Sequence, residues 1–432
     1  MGKSIKLLSA AVAIALLSSN ASYATNGMFL IGQSTKSRAM GGTAFAMSDD
    51  TIMSATNPAT LFDIKGRRFD VGADLFNPLA SAALGEGSSR YKVNSEFDEF
   101  GVKNWMMMPN IGVSMKMSNM AMGLTMVSVG GGGSKYNFNV YNAQQVGKDT
   151  TKTLGVSLMV AQMNPTLAMK LNKQHTVGAS LIIGMQRFKA YGLEEFQRFT
   201  PSGTADRMTN QGSDYSIGVG LRLGWLGKFM NNKLRVGVAG ATQTYMRRFT
   251  KYSELFAEGG SINTPGNIGA GIAYQYNDKF KVAFDINYIM YEDVASISNK
   301  GPNTGGELFP VSKAVNGLGE KQGLGFGWKN QTVYKLGMAF DYTDNLTLRA
   351  GWNYGKSPIN EQREIIFNIV APATVQHHMT LGATYATSKN SEWSFSYVHA
   401  FKYCQDGPTY IGSTGEICMS QNSYGLSYGM GF

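Results

Sequence analysis

Side chains able to do chemistry are few in this sequence, and most are badly spaced for catalysis. There are four histidines: His175, His377, His378 and His399. His377 and His378 are consecutive, so on a strand they project to opposite faces and cannot share a metal or a proton. His399 with Ser394 or Ser396 has the spacing of a lipase-like pair, but no supporting acid or motif accompanies it. Cys404 and Cys418 are the two cysteines. In an oxidising compartment they form a disulfide that clips a polar loop near the C-terminus, worth about 3 kcal/mol in loop entropy. No other thiol or histidine cluster completes a metal site around them. These residues argue against an enzyme: no catalytic residue, metal or cofactor is expected. What remains is binding chemistry. Lys335 falls on the small and polar face of its strand, which would line a barrel's lumen, and Arg187 and Arg235 are further lumen candidates, where a cation can receive a carboxylate. Arg349 lies diagonal to Asp341 across a short turn and is expected to be neutralised there.

The elements that must position these cations are strands. Of 432 residues, 52 are Gly, 23 Phe and 21 Tyr, and only 16% are charged. No apolar run is long enough for a membrane-spanning helix, which excludes a helical bundle. Apolar residues spread along the whole chain exclude low-complexity disorder. Tyr424, Leu426, Tyr428, Met430 and Phe432 alternate with Gly425, Ser427, Gly429 and Gly431. The same period carries Tyr334 to Tyr342 and Leu346 to Tyr354, joined by Thr343-Asp344-Asn345. In a membrane barrel the apolar face meets lipid and the small or polar face lines the lumen. Strands are expected near 68–80, 105–117, 120–130, 163–171, 175–190, 212–226, 233–249, 266–276, 280–291, 331–342, 346–356, 377–387, 392–402 and 422–432. Short turns follow the even strands and long segments the odd ones. That is the pattern of an all-β outer-membrane barrel with both termini periplasmic. The terminal Phe432 is the ending that barrel assembly machinery reads.

Ahead of the barrel lie two further segments. Lys3 and Lys6, an apolar stretch from Leu7 to Leu17, and Ser22-Tyr23-Ala24 make residues 1–24 a signal peptide. Its removal takes the formal charge from +10 to +8, because two lysines leave. Residues 25–67 lack sustained alternation. They hold Phe29, Leu30, Ile31, Met40, Phe45 and Phe62, too apolar for a free tail. A plug folded inside the barrel, residues 68–432, is the better physical reading. Arg38 with Asp49 or Asp50 is a candidate ion pair within it, and Asn57-Pro58-Ala59 is a candidate tight bend.

At these residues the chain resembles the FadL-type transporters of long-chain fatty acids and hydrocarbons. The match runs through Asn26-Gly27-Met28-Phe29-Leu30 and Ser37-Arg38-Ala39-Met40-Gly41-Gly42, where Ser37 stands for the usual glycine. It continues through Asp49-Asp50, Asn57-Pro58-Ala59, Leu346 to Trp352, and Ser357-Pro358-Ile359. The resemblance implies a 14-stranded barrel with an N-terminal hatch and uptake of hydrophobic molecules without energy coupling. It further implies capture at extracellular loops, binding in a lumen pocket, a hatch rearrangement and sideways exit at a kinked third strand. Gly130, Gly131, Gly132 and Gly133 are the candidate kink. Phe29, Leu30 and Ile31 are candidate pocket residues.

An apolar solute loses about 25 cal/mol for every Å² it keeps in water, so such a transporter needs a dry pocket rather than an aqueous channel. The expected substrate is a long-chain fatty acid, with aromatic or alkane hydrocarbons as the alternative. A lipase-like enzyme, a surface adhesin and a hydrophilic porin are readings of other classes. Expected partners are the hydrophobic ligand, lipopolysaccharide and outer-membrane lipid, and the assembly machinery. Nucleic acid is not among them, and a monomer is expected.

Overall fold

Period-two alternation folds the chain into one antiparallel sheet that closes on itself. The computed structural model describes residues 26–96, 102–143, 148–301, 317–359, 364–409 and 413–432. The expected signal peptide, residues 1–24, lies outside them. The wall strands are β1 (Arg67–Leu84), β2 (Met106–Lys116), β3 (Met120–Tyr136), β4 (Leu154–Lys170), β5 (His175–Tyr191), β6 (Asp214–Phe229) and β7 (Leu234–Ala241). They continue as β8 (Asn267–Gln275), β9 (Phe280–Ile289), β10 (Gln331–Asp341), β11 (Leu346–Gly355), β12 (His377–Ala386), β13 (Ser391–Pro408) and β14 (Thr414–Gly431). Tyr91–Asn94 adds a short hairpin strand to β1, and Tyr245–Met246 pairs again with β6. β14 pairs with β1 from Arg68↔Gly431 to Leu84↔Gly415, which closes the fourteen-stranded barrel.

Each expected strand is present, but several run further at the long-loop end, and the seventh, expected over 233–249, stops at Ala241. β4 begins at Leu154 and β14 at Thr414. In the β4 extension, residues 154–160 are buried on both faces, so alternation fades there. This corrects the disulfide's setting. Cys404 and Cys418 are bonded, 14 residues apart, but they face each other across paired strands β13 and β14 rather than clipping a loop.

Outward positions carry the lipid-facing residues, such as Leu221, Leu223, Ile272, Leu381, Phe395 and Leu426, all exposed. Residues 26–66 fill the lumen and are almost wholly buried. Glycines on the lumen face let them in. A Cβ on Gly178 would overlap Pro58, one on Gly237 the Phe45 carbonyl, one on Gly337 the Met40 carbonyl and one on Gly351 the Gly41 amide. The glycine richness of the chain is therefore partly the imprint of its own hatch.

Candidate functional site

The hatch has two parts. Its body, residues 34–64, is fixed to the wall by charge. Ser34 caps the short helix Thr35–Arg38. Arg38 then reaches the wall and pairs with Asp74 of β1, while its Nε donates to the Gly32 carbonyl at 2.9 Å. The expected partners Asp49 and Asp50 are thus wrong: a plug built against a wall finds its counter-charges on the wall. Asp49 takes Lys281 at 2.9 Å and Arg349 at 3.5 Å. Burial alone would raise the Asp49 pKa, but Lys281, Arg349 and Lys36 hold it well below the usual carboxylate range. Asp50 accepts from the Met53 amide at 2.8 Å. Burial, joined by the Asp70 charge and opposed by Lys36 and Arg68, pushes the Asp50 carboxyl up to about 6. Asn57 caps the 3-10 helix Pro58–Asp63 and donates to the Phe45 and Trp225 carbonyls at 2.6 and 3.1 Å. Pro58 occupies the first turn, where its missing N–H costs nothing. Ala59 donates its amide to Asn57 Oδ1 at 3.1 Å.

The nominated cations are taken up by this same framework. Lys335 is buried, facing Asn353 in register as expected, but its Nζ donates to the Ile31 and Gly42 carbonyls at 2.9 and 3.2 Å. Beside it Asp285 accepts from the Ala44 and Phe45 amides at 2.7 and 3.1 Å. Lys335 is thus a hatch clamp, not an open carboxylate receptor. Arg235 pairs with Asp63 at 3.0 Å, next to Lys228. Arg187 alternates with the buried Gln186 and Phe188 and lies on the opposite, outward face, where it donates to Ser213 at 3.1 Å. Arg349 is neutralised by Asp49, not by Asp341, which instead accepts from Thr347. His399 lies outward, bonded to Asn422 at 2.9 Å, whereas Ser394 and Ser396 are buried on the other face. The lipase-like pair is therefore not formed.

The second part of the hatch is a hook, residues 26–31. Asn26 and Phe29 close a tight turn by reciprocal backbone bonds of 2.8 and 3.1 Å. Tyr291 fastens it: its hydroxyl accepts from the Met28 amide at 2.9 Å and donates to the Asn26 carbonyl at 2.5 Å. On the other side the hook meets β3. Leu30 donates to the Val129 carbonyl at 3.0 Å, and the Gly131 amide donates to the Met28 carbonyl at 2.9 Å.

That edge of β3 is available because the wall opens there. β2 and β3 pair only from Lys116↔Ala121 to Asn110↔Val127. Beyond Val127, β3 keeps β4 but has no strand partner on the β2 side among the described residues. A register shift between Ser128 and Gly130 turns it away. Higher up, Ser95 and Glu96 bridge the gap, bonding Ala80 and Lys135. Gly130 is required by close approach, since a Cβ would overlap the Met28 carbonyl; at Gly132 nothing lies within 4 Å. Leu30 packs at this window with Phe76, Met106, Met108 and Met159.

Above the hook lie two apolar cavities of about 40 Å³ each. They share Val156, Phe188, Phe256 and Phe326 as a common wall. The lower is floored by Met28, Gly131 and Gly132 and reaches Trp328. The upper is roofed by Tyr141, Phe196, Leu324 and Phe367. Edge-on ring pairs set its walls, Phe188–Phe256 at 4.7 Å and Phe196–Phe367 at 4.8 Å. Apart from Ser296, the lining side chains are apolar or aromatic. Phe29 belongs to the surrounding apolar cluster, whereas Leu30 faces the wall window and Ile31 supplies its carbonyl to Lys335. The segment containing Leu324, Phe326 and Trp328 is cavity lining, not an outer patch. Tyr291 and Trp328 touch edge to face at 5.2 Å, which links cavity to hook. No sequence signal singled out Tyr291 or Asp285.

Comparison with known proteins agrees with this architecture. The family described as outer membrane protein transport protein (OMPP1/FadL/TodX) matches residues 14–406. The toluene transporter TodX of Pseudomonas putida superposes with a TM-score of 0.71 at 19% identity, over 93% of this chain and 99% of TodX. The toluene transporter TbuX of Ralstonia pickettii gives 0.65 at 20%, over 93% and 99%. A FadL homologue of Pseudomonas aeruginosa gives 0.66 at 13%, over 94% and 100%. At such identities the likeness is one of fold. No curated protein matches the chain.

Proposed function

Since this chain belongs to the OMPP1/FadL/TodX family of outer-membrane transport proteins, we propose that its substrates are small uncharged aromatic hydrocarbons, taken up passively. The observation that carries this is the pair of adjacent cavities, which share a wall, with their apolar and aromatic lining. A carboxylate entering them would lose its water without gaining a counter-ion, at a cost of several kcal/mol. An aromatic solute loses nothing comparable and gains ring contacts. TodX and TbuX, both toluene transporters, are similar in fold. The long-chain fatty acid reading requires Lys335 to leave the Ile31 and Gly42 carbonyls.

The route we propose runs through the cavities and the hook. A solute enters from the loop side, passes the upper cavity and settles on the hook in the lower one. Filling that cavity presses Trp328 against Tyr291 and loosens the Asn26–Phe29 turn. The hook then leaves the β3 edge and exposes the window between β2 and β3, through which the solute exits sideways. Residues 1–24 direct export, and Phe432 serves assembly.

Uptake of radiolabelled toluene and oleate, in Gram-negative cells lacking their own transporters for either, tests the substrate class. Faster toluene entry without oleate entry is expected. Oleate entry at or above the toluene rate overturns the reading, and its loss in Lys335→Met would then assign Lys335 to the carboxylate.

A further inference from the structure

Within the glycine run of β3 the positions are not equivalent. Beyond the register shift, residues 130, 132, 134 and 136 alternate onto one face of the strand. That face looks into the barrel. Ser134 donates its hydroxyl to the Val370 carbonyl at 3.0 Å, and Tyr136 donates its own to the Ile369 carbonyl at 2.8 Å. Gly130, on the same face, is filled by the Met28 carbonyl of the hook. Gly132 lies between them, and a Cβ built there meets no heavy atom of the described residues within 4 Å. Its φ is negative, unlike those of Gly130, Gly131 and Gly133, so its backbone suits any residue. Neither close approach nor backbone conformation requires a glycine at 132. A glycine inside a strand weakens it, and what it provides here in return is room.

That room belongs to the lower cavity. Gly132, Leu158 and Phe188 are register partners across β3, β4 and β5, and all three line it. Bulk falls along this row from phenylalanine to leucine to no side chain, which leaves a niche at the β3 end. The niche borders the window, because β3 has lost β2 beyond Val127. Opposite the niche the lining is aromatic, with Phe188, Phe256 and Trp328.

We propose that Gly132 sets the size of the substrate: the ring packs on Phe188 and Phe256, and a short alkyl substituent fills the niche at Gly132. This deepens the aromatic reading of the cavities and rests on it, narrowing the substrates to alkylbenzenes in preference to the bare ring. The test is displacement of labelled toluene from the full-length protein in detergent by benzene, toluene, ethylbenzene and propylbenzene, with free concentrations fixed through the headspace vapour. In the unaltered protein affinity should rise about fourfold for each carbon added up to ethylbenzene, as expected for a buried CH₂. In Gly132→Ala the rise should stop at toluene. In Gly132→Val the order should reverse, with benzene bound tightest. Adding Leu158→Ala to Gly132→Val returns the lost room carbon for carbon from the register partner and should restore the rise, which separates lost room from a misfolded cavity. Hydrogen exchange of residues 26–31 should stay unchanged throughout, because the hook meets Gly130 and not Gly132. The same order of affinities in every variant would overturn the sizing role, as would loss of binding in Gly132→Val that Leu158→Ala does not restore. No toluene binding by the unaltered protein would overturn the aromatic reading itself and this inference with it, so the two failures are distinguishable.

Discussion

The hook and the body of the hatch are contiguous in sequence and held by opposite means. The body docks through ion pairs on many strands: the buried Arg38 with Asp74, and the partly exposed pairs of Asp49 with Lys281 and Arg349 and of Asp63 with Lys228 and Arg235. Breaking the Arg38–Asp74 pair strands a charge in a dry interior, which costs about 3–5 kcal/mol. The hook has no ion pair among the described residues. Its backbone bonds, each worth about 1 kcal/mol, are joined by the Tyr291 hydroxyl on two of its groups and by the Lys335 ammonium on its last carbonyl, that of Ile31. The difference teaches where motion belongs. An element that must leave and return is held by several weak bonds, and the frame it leaves from is held by few strong ones.

Breaking the frame should have the largest effect. Arg38→Met leaves Asp74 buried without its partner, and residues 34–64 should lose about 3–5 kcal/mol of protection in hydrogen exchange, with the barrel still folded. Unchanged exchange there would mean the ion pair does not hold the body. Next comes Gly130→Val, whose side chain occupies the place of the Met28 carbonyl. The hook should come off β3, and toluene affinity should fall at least tenfold as the lower cavity loses its floor. Gly132→Ala, built into open space, is the matched control and should leave the hook docked. If both variants behave alike, the hook is not held by close approach at Gly130.

A smaller effect sharpens the contrast. Tyr291→Phe removes two hydrogen bonds from the hook and none from the body, so exchange of residues 26–31 should rise by about 1–3 kcal/mol while residues 34–64 stay as they were. Equal loosening of both parts would contradict the division. The smallest effect concerns the body alone. With its carboxyl raised to about 6, Asp50 is protonated in the folded hatch and ionised in the unfolded one between about pH 4 and pH 6. Folding then takes up a proton, so hatch stability falls as pH rises through that window. Lys36, Arg68 and Asp70 are the charges that set the size of the shift. Asp50→Asn should remove the share of this pH dependence that Asp50 carries and add up to about 3 kcal/mol above pH 6. Protection factors of residues 48–53 at pH 4 and pH 7.5 measure it.

Much of the fold is legible in the sequence, because alternation is a local property. The Tyr424 to Phe432 and Tyr334 to Tyr342 strands announce themselves within ten residues. Thr343-Asp344-Asn345 sets the turn, so the pairing of Lys335 with Asn353 could be read without the barrel. Strand ends at the loop side were less legible. Residues from Leu154 to Val160 are buried whichever way they point, which erases the period-two signal. The candidate site was legible only in part. Asn57-Pro58 reads as a helix start, and the glycine run as an irregular strand. The roles of Lys335 and Arg38 did not follow, because their partners are Ile31, Gly42 and Asp74, on elements that meet them only when the barrel closes.

The sequence by itself determined an all-β chain with fourteen strands, an apolar outside and an apolar segment too greasy to hang free. Each of these is a sum over neighbours in the chain. The tertiary structure alone decided which cations remain for a ligand, where the wall opens and what closes it. Those depend on Tyr291 meeting Asn26 across 265 positions and Lys335 meeting Ile31 across 304. Charge neutralisation and hydrogen bonding act over a few ångströms of space, and only closure of the sheet around the hatch brings such distant residues within that reach.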